Sequence, residues 1–130
     1  MPALPISEYV SLTTFRRSGV PVPTPVWAAA DGADLVVWTR TDTGKVKRLR
    51  HTTRVTVAPC EFRGTTTGDA VEGVAEIIDH AEWPRALAAL RRDYGLRFQL
   101  GYVTGRVVQR LSRRATDRNE IIRIRPAGAE

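Results

Sequence analysis

The residues best suited to bind an anion lie between Trp38 and Arg54, in the segment WTRTDTGKVKRLRHTTR. A turn rich in Thr, Asp and Gly leads here into a short helix that carries Lys45 in its first turn. The first N–H groups of a helix are unpaired and lie at the positive end of its dipole, so they attract phosphate. Lys45 adds a full charge, and further hydroxyls and cations stand close in sequence, at Thr39, Thr41, Thr43, Lys47 and Arg48. The pattern predicts a phosphate site.

A solvated basic helix, capped by Thr43 or Asp42, would have the same sequence. The local pattern leaves these two interpretations equally open. Other chemistry has less support. His51 and His80 are isolated and no acidic residue or cysteine stands at metal-ligand spacing, so we expect no metal site. Cys60, the only cysteine, lies in an apolar run and is expected to be a small buried residue rather than a nucleophile.

The elements that must position this segment are mostly strands. Runs rich in β-branched and aromatic residues predict about six of them, at residues 9–15, 20–30, 35–39, 54–60, 71–79 and 120–125. Turn residues at 16–19 and 31–34 connect the first three strands as hairpins. We therefore expect a mainly β fold, an antiparallel barrel with helices at one end, that forms a single domain over residues 1–130.

Three segments are predicted to be helical. The first covers residues 43–50, with Val46 and Leu49 facing inward. The second covers residues 82–94 and has an apolar stripe that should pack on the sheet, formed by Trp83, Leu87, Leu90 and Tyr94. The third, at residues 98–111, is less regular because Gly101 and Gly105 interrupt it.

The prolines in the second predicted strand constrain its place in the sheet. Pro21, Pro23 and Pro25 occupy every second position, so their missing N–H groups all lie along one side of the strand. That side cannot form a regular ladder. It must be a free edge, a bulge, or a wall beside a ligand or a partner chain.

Charge and hydropathy restrict the classes of partner. The net charge of +6 and the pI of about 10.4 admit nucleic-acid binding, but the excess arginine is spread along the chain and we do not expect a nucleic-acid partner. The apolar stretches are far shorter than the roughly 20 residues that span a bilayer. The N-terminus does not resemble a signal peptide, and a lone cysteine fits a reducing compartment, so a cytoplasmic location is expected.

Three stretches together resemble a known family. YVSLTTFRRSGVPVPTPVW, VWTRTDTGKVKRLRHTTRVTVAPC and VEGVAEIID are similar to the actinobacterial flavin and deazaflavin oxidoreductases of the pyridoxamine 5'-phosphate oxidase-like superfamily, and most of all to its small F-420-dependent group. The similarity covers about residues 9–98. It implies a split β-barrel of the FMN-binding type, assembled as a homodimer with two cofactor sites between the subunits.

The resemblance also implies which residues contact the cofactor. The tricyclic ring would lie against the strands containing LTTF and TPVW, and the phosphate would lie at the start of the first helix. Carried over position by position, the cofactor-binding residues would be Thr14, Thr24, Val26, Trp27, Thr39, Thr43, Lys45, Lys47 and Arg48. The expected reaction is hydride transfer from reduced F-420 to an electron-poor double bond, and no residue stands out as the proton donor, so solvent can serve.

Some features depart from the family. The Ser-Arg-Lys phosphate motif and the C-terminal Arg-x-His element of true pyridoxamine phosphate oxidases are absent, which argues against that reaction. An FMN enzyme of the same fold remains an alternative, because FMN also carries a phosphate. A non-catalytic protein that carries a cofactor or a tetrapyrrole is another.

Overall fold

The computed structural model of the chain describes residues 3–5, 7, 9–40, 43–92 and 119–127. These residues form seven strands: β1 (Tyr9–Phe15), β2 (Pro21–Trp27), β3 (Ala29–Asp31), β4 (Asp34–Arg40), β5 (Arg54–Cys60), β6 (Val71–Ile77) and β7 (Asn119–Pro126). A short helix, α1 (Gly44–Leu49), connects β4 to β5. A 3-10 turn (His80–Glu82) leads into a second helix, α2, at residues 83–92. The predicted helix at residues 98–111 lies outside the described residues.

The strands form one antiparallel sheet in the order β2-β1-β5-β6-β7-β4-β3. The sheet curls into a half-barrel, and β2 at one edge contacts β4 near the other. Tight turns connect the hairpins, with Gly19 and Gly32 at φ angles of 88° and 63°, in the left-handed region that favours glycine. The predicted mainly β, split-barrel class is confirmed.

The prediction of a single strand at residues 20–30 was wrong. The chain forms β2 and then β3, separated by Ala28, and the two strands lie at opposite edges of the sheet. One residue is enough for this crossing because the curled sheet brings its two edges together. Ala28 is buried and belongs to the apolar interior, which explains why an unbroken apolar run contains the break.

The expectation that the prolines of β2 mark an irregular side is confirmed, and among the described strands that side is a sheet edge. The N–H of Arg16 donates to the carbonyl of Val20 at 3.0 Å, which sets the alternation of the β1–β2 ladder. In this alternation the residues between the prolines bond to β1, and the prolines direct their missing N–H positions outward. The sequence therefore prevents β2 from extending the sheet by a regular ladder.

Two apolar layers hold the fold together. The interior of the half-barrel is filled from β1, β4, β5 and β7, by residues such as Leu12, Val37, Val57 and Ile122. The outer face of β4 and β7 is covered by α2, whose Trp83, Ala86, Ala89 and Leu90 are buried. This confirms the predicted stripe for its described members; Tyr94 lies outside the described residues. Neither described helix has the length and hydropathy needed to cross a bilayer.

Candidate functional site

Helix α1 closes one end of the half-barrel. Every neighbouring strand pair is antiparallel, so β1 and β4 run in the same direction and both finish at this end, where β5 begins. The predicted inward residues of α1, Val46 and Leu49, are both buried, which anchors the helix against β1 and β6. The turn after β1 lies at the same end. We call this the basic end, and it is defined by Arg16, Arg17, Lys45, Arg48 and Arg54.

Arg48 is held by contacts on two sides. Its Nε donates a hydrogen bond to the hydroxyl of Thr14, a fully buried residue of β1. Its Nη1 lies against the backbone of Gly44, where an added Cβ would stand only 2.6 Å away. Burial, and then the charge of Arg16, lowers the pKa of the Arg48 guanidinium. The side chain is thus fixed in a place where its own charge is poorly compensated.

Lys45 has a similar environment. It is partly buried, and burial, followed by the charge of Arg48, lowers the pKa of its ammonium group. Among the described residues, no carboxylate forms an ion pair with Lys45, Arg48 or Arg16. Arg48 thus experiences the charge of Arg16, and Lys45 that of Arg48, and an anion bound at Lys45 and Arg48 would offset this repulsion. This arrangement can bind phosphate through charge-assisted hydrogen bonds.

The two threonines predicted near the phosphate are brought together. The hydroxyls of Thr39 and Thr43 are 3.4 Å apart, and the Thr43 hydroxyl also donates to the carbonyl of Arg40 at 3.0 Å. Thr43 occupies the N-cap position of α1, but its side chain makes no capping hydrogen bond. The solvated-helix interpretation expected a cap from Thr43 or Asp42, and Thr43 does not provide one. Thr41 and Asp42 lie outside the described residues.

An open groove of about 460 Å³ continues the basic end outward, between the β1–β2 turn and the segment that joins α1 to β5. Its walls are formed by Phe15, Arg16, Arg17, Gly19, His51, Thr52 and Arg54. The Arg54 guanidinium lies 4.7 Å from the centroid of the Phe15 ring and 2.9 Å from a carboxylate oxygen of Glu72. Arg16 and Arg17 are exposed. The groove thus adds positive charge beside the Arg48 site.

The remaining predicted site residues are distributed more widely. Thr24 and Val26 lie on the side of β2 that faces the half-barrel interior, where Val26 packs on the core. Trp27 faces the opposite side, at the other end of β1, where its ring centroid is 6.0 Å from that of Tyr9. Lys47 is exposed. Within one chain, Thr14, Thr39, Thr43, Lys45 and Arg48 gather at one end, and Trp27 does not join them.

Sequence reasoning missed Gly44 and Arg16 as parts of the site. A sequence signal for Gly44 was present: it directly precedes Lys45, and a glycine there leaves room for the side chain of Arg48. Arg16 lies in the predicted hairpin turn, but only the pairing of β1 with β5 and the packing of α1 on β1 bring that turn close to Arg48. Long-range contacts of this kind have no local sequence signal.

A half-barrel of this topology defines the split-barrel class of folds. The sequence profile described as pyridoxamine 5'-phosphate oxidase matches residues 2–129. The protein therefore belongs to the pyridoxamine 5'-phosphate oxidase family, and the suspected superfamily is confirmed. No curated protein matches the sequence.

Solved structures share the fold at low sequence identity. A protein of unknown function from Agrobacterium tumefaciens is 20% identical with a TM-score of 0.67, and the match covers 94% of this chain and 49% of that one. The chain thus spans about half the length of that protein. The heme storage protein HutZ from Vibrio cholerae is 11% identical with a TM-score of 0.65, over 94% of this chain and 83% of that one. An F-420 reductase is 19% identical with a TM-score of 0.54, over 92% of this chain and 86% of that one.

Proposed function

We propose that the protein is an oxidoreductase that uses reduced coenzyme F-420, a deazaflavin, to transfer a hydride to an unsaturated organic acceptor. The observation that carries the proposal is the convergence of Lys45, Arg48 and Arg16, which have no carboxylate partner among the described residues. Such a group of cations is suited to the phosphate of a flavin-type cofactor. The family and the F-420 reductase among its structural neighbours support the same chemistry.

The phosphate would be bound by Lys45 and Arg48, with Thr39 and Thr43 close by. Lys45 supplies a charged amine, and Arg48 supplies the Nη donors that Thr14 leaves unused. Lys47 is exposed and would add to the local field rather than to direct binding. This division of roles gives Lys45 and Arg48 the largest effects on affinity.

The basic groove favours F-420 over FMN. FMN ends at its phosphate, whereas F-420 continues into a chain of glutamates. The groove lined by Arg16, Arg17 and Arg54 lies at the same end of the half-barrel as Lys45 and Arg48, so it can receive carboxylates that lie beyond the phosphate. A cofactor that ended at the phosphate would leave Arg16 and Arg17 without an anionic ligand.

The ring would lie along the free edge of β2, near Thr24 and Val26, in a site shared between two subunits of a homodimer. Trp27 supports this arrangement, because it is 39% exposed and faces away from Lys45 and Arg48 of its own chain. Tyr9 packs beside Trp27, and Phe62 packs against Tyr9 with ring centroids 5.5 Å apart. An exposed aromatic surface beside a sheet edge that cannot extend its ladder suits contact with a second subunit.

When bound, reduced F-420 supplies the hydride, and the chain's task is to hold cofactor and acceptor face to face and to exclude water. The strand and helix residues named above would fix the cofactor at its phosphate end. The Tyr9 ring packs against Trp27 and Phe62, and Arg54 is engaged by Phe15 and Glu72, so solvent is the simplest source of the proton.

Turnover tests this function directly. Reduced F-420 is mixed anaerobically with the protein and a panel of quinones and α,β-unsaturated carbonyl compounds, and the return of the oxidised cofactor's fluorescence is followed. We expect oxidation that depends on both protein and acceptor, and a strong loss for Lys45→Ala. Oxidation at the same rate without protein for every acceptor would contradict the proposal.

A second candidate function is tetrapyrrole binding without turnover, which the likeness to a heme storage protein favours. A heme titration followed by the Soret absorbance separates the two. Tight heme binding that survives Lys45→Ala, together with no binding of F-420, would support the second candidate.

A further inference from the structure

We propose that Thr14 and Gly44 form a clamp that holds the Arg48 guanidinium with its two terminal nitrogens directed at a bound oxyanion. The inference rests on the proposed function in one respect: the oxyanion is taken to be the cofactor's phosphate. It assigns Thr14 a positioning role in place of the ring contact that the family resemblance implies. Gly44 receives a role that the sequence did not suggest.

The first half of the clamp is the hydrogen bond from Arg48 Nε to the Thr14 hydroxyl. Thr14 is fully buried and is paired with Val22 of β2, so its oxygen has a fixed position. A guanidinium has one Nε edge and a terminal Nη1–Nη2 edge. Because Thr14 occupies Nε, only the terminal edge can present two parallel donors.

The second half is the missing side chain of Gly44. A Cβ at this position would stand 2.6 Å from Arg48 Nη1, 3.3 Å from Cζ and 3.4 Å from Nη2, so it would crowd the terminal edge itself. No side chain could share that space with the guanidinium. The clashing atoms belong to the end of a flexible side chain, so an alanine would displace the guanidinium and leave the fold intact.

The terminal Nη1–Nη2 edge of Arg48 is available to an oxyanion. Within the described part of the chain, Arg48 makes no other hydrogen bond and no ion pair. Lys45, three positions earlier on α1, lies close enough for the charge of Arg48 to affect it. An oxyanion bound end-on by Arg48 would therefore also be attracted by the charge of Lys45.

The Gly44→Ala variant should change stability and anion affinity in opposite directions. Gly44→Ala replaces a residue poorly suited to a helix by the most suited one, so the protein should be as stable as the wild type or more stable. Its affinity for an anion should nevertheless fall about tenfold, the loss expected for one misplaced charge-assisted hydrogen bond. A glycine with a purely structural role would show stability and affinity falling together.

The test uses the full chain with inorganic phosphate as the probe, so that it does not depend on the identity of the cofactor. The Arg48 Nε–H resonance, assigned by its loss in Arg48→Lys, is followed by NMR during a phosphate titration of the wild type, Gly44→Ala, Thr14→Val and Thr14→Ser. Thr13→Val is the matched control, because Thr13 is on the same strand but on its other face. Urea unfolding of each variant gives its stability.

We expect saturable phosphate shifts at Arg48 in the wild type, weaker binding in Gly44→Ala and Thr14→Val, and recovery in Thr14→Ser. In the double variant Gly44→Ala/Arg48→Ala, the Gly44 change should add nothing to the loss caused by Arg48→Ala, measured by F-420 or phosphate affinity. Unchanged phosphate affinity in Gly44→Ala, or no phosphate response at Arg48 in the wild type, would overturn the clamp. Phosphate binding with the expected variant pattern but no F-420 binding would leave the clamp supported and overturn the proposed cofactor.

Discussion

Arg123 Nη2 lies 2.9 Å from a carboxylate oxygen of Asp31, and the two side chains are only 7% and 9% exposed. The pair joins β7 to the β3–β4 hairpin. Asp34 accepts a second bond from Arg123 at 3.0 Å, and Arg85 of α2 reaches Asp31 at 3.1 Å. This buried network ties the β3 edge of the half-barrel to the sheet and to α2, on the far side of the sheet from the half-barrel interior.

Removing the charge of Asp31 should destabilise the protein without changing cofactor affinity. Asp31→Asn leaves Arg123 buried with Asp34 alone, and we expect a loss of about 2 to 3 kcal/mol in the free energy of unfolding. Glu76→Gln is the matched control, because it breaks the exposed pair with Arg125 and should cost less than about 1 kcal/mol. Urea unfolding measures both, and equal losses would contradict the structural role of the network.

The same network predicts a pH dependence of stability. Burial alone would raise the pKa of Asp31, but the hydrogen bond and charge of Arg123, followed by those of Arg85, outweigh it and lower the pKa. A carboxyl with a lowered folded-state pKa contributes stability that is present above its unfolded pKa of about 4 and is lost as the pH falls through the folded value. Urea midpoints of the wild type should therefore drop below about pH 4 more steeply than those of Asp31→Asn.

Most of the fold could be predicted from sequence because its strands have local signals. The bounds of β1 and β5 were predicted correctly, and so were the inward residues of α1. The break at Ala28 was missed, because an alanine between two strands looks the same whether the chain continues straight or crosses to the other edge. Arg123 was missed for a related reason: strand alternation identifies its face, but not the Asp31 and Asp34 carboxylates that make its burial possible.

The candidate site was predictable only in part. The cations of α1 are close together in sequence, so their grouping follows from helix geometry. The bond from Arg48 to Thr14 joins residues 34 positions apart, and the groove depends on two turns that the sheet brings together. Trp27 was placed beside the cofactor ring with Thr24 and Val26 by family resemblance, whereas in one chain it faces the other side of β2 from them.

The groove arginines should affect F-420 more than FMN. For Arg16→Ala/Arg17→Ala we expect F-420 affinity to fall about tenfold and its salt dependence to weaken, with little change for FMN. Arg63→Ala is the control, because Arg63 is also an exposed turn arginine but follows the end of β5, at the opposite end of the sheet from the groove. Equal losses of affinity for both cofactors would show that the groove does not bind the glutamate chain that F-420 has and FMN lacks.

Cofactor affinity should decline at alkaline pH. Burial, followed by Arg48, lowers the pKa of Lys45, and a bound phosphate would favour the protonated amine. The affinity for F-420 is thus expected to be full below the pKa of Lys45 in the free protein and to weaken as the pH rises through it. Titrations at a series of pH values check this, and Lys45→Arg should shift the decline to higher pH because the guanidinium stays charged.

The central claim is tested most directly by paired equilibrium titrations of the purified protein with oxidised F-420 and with FMN, followed by quenching of cofactor fluorescence. We predict micromolar or tighter binding of F-420, weaker binding of FMN, and a loss of F-420 affinity of about ten- to a hundredfold in Lys45→Ala. Tighter binding of FMN than of F-420 would indicate that the protein uses FMN as its cofactor. Failure of the wild type to bind either cofactor would contradict the account.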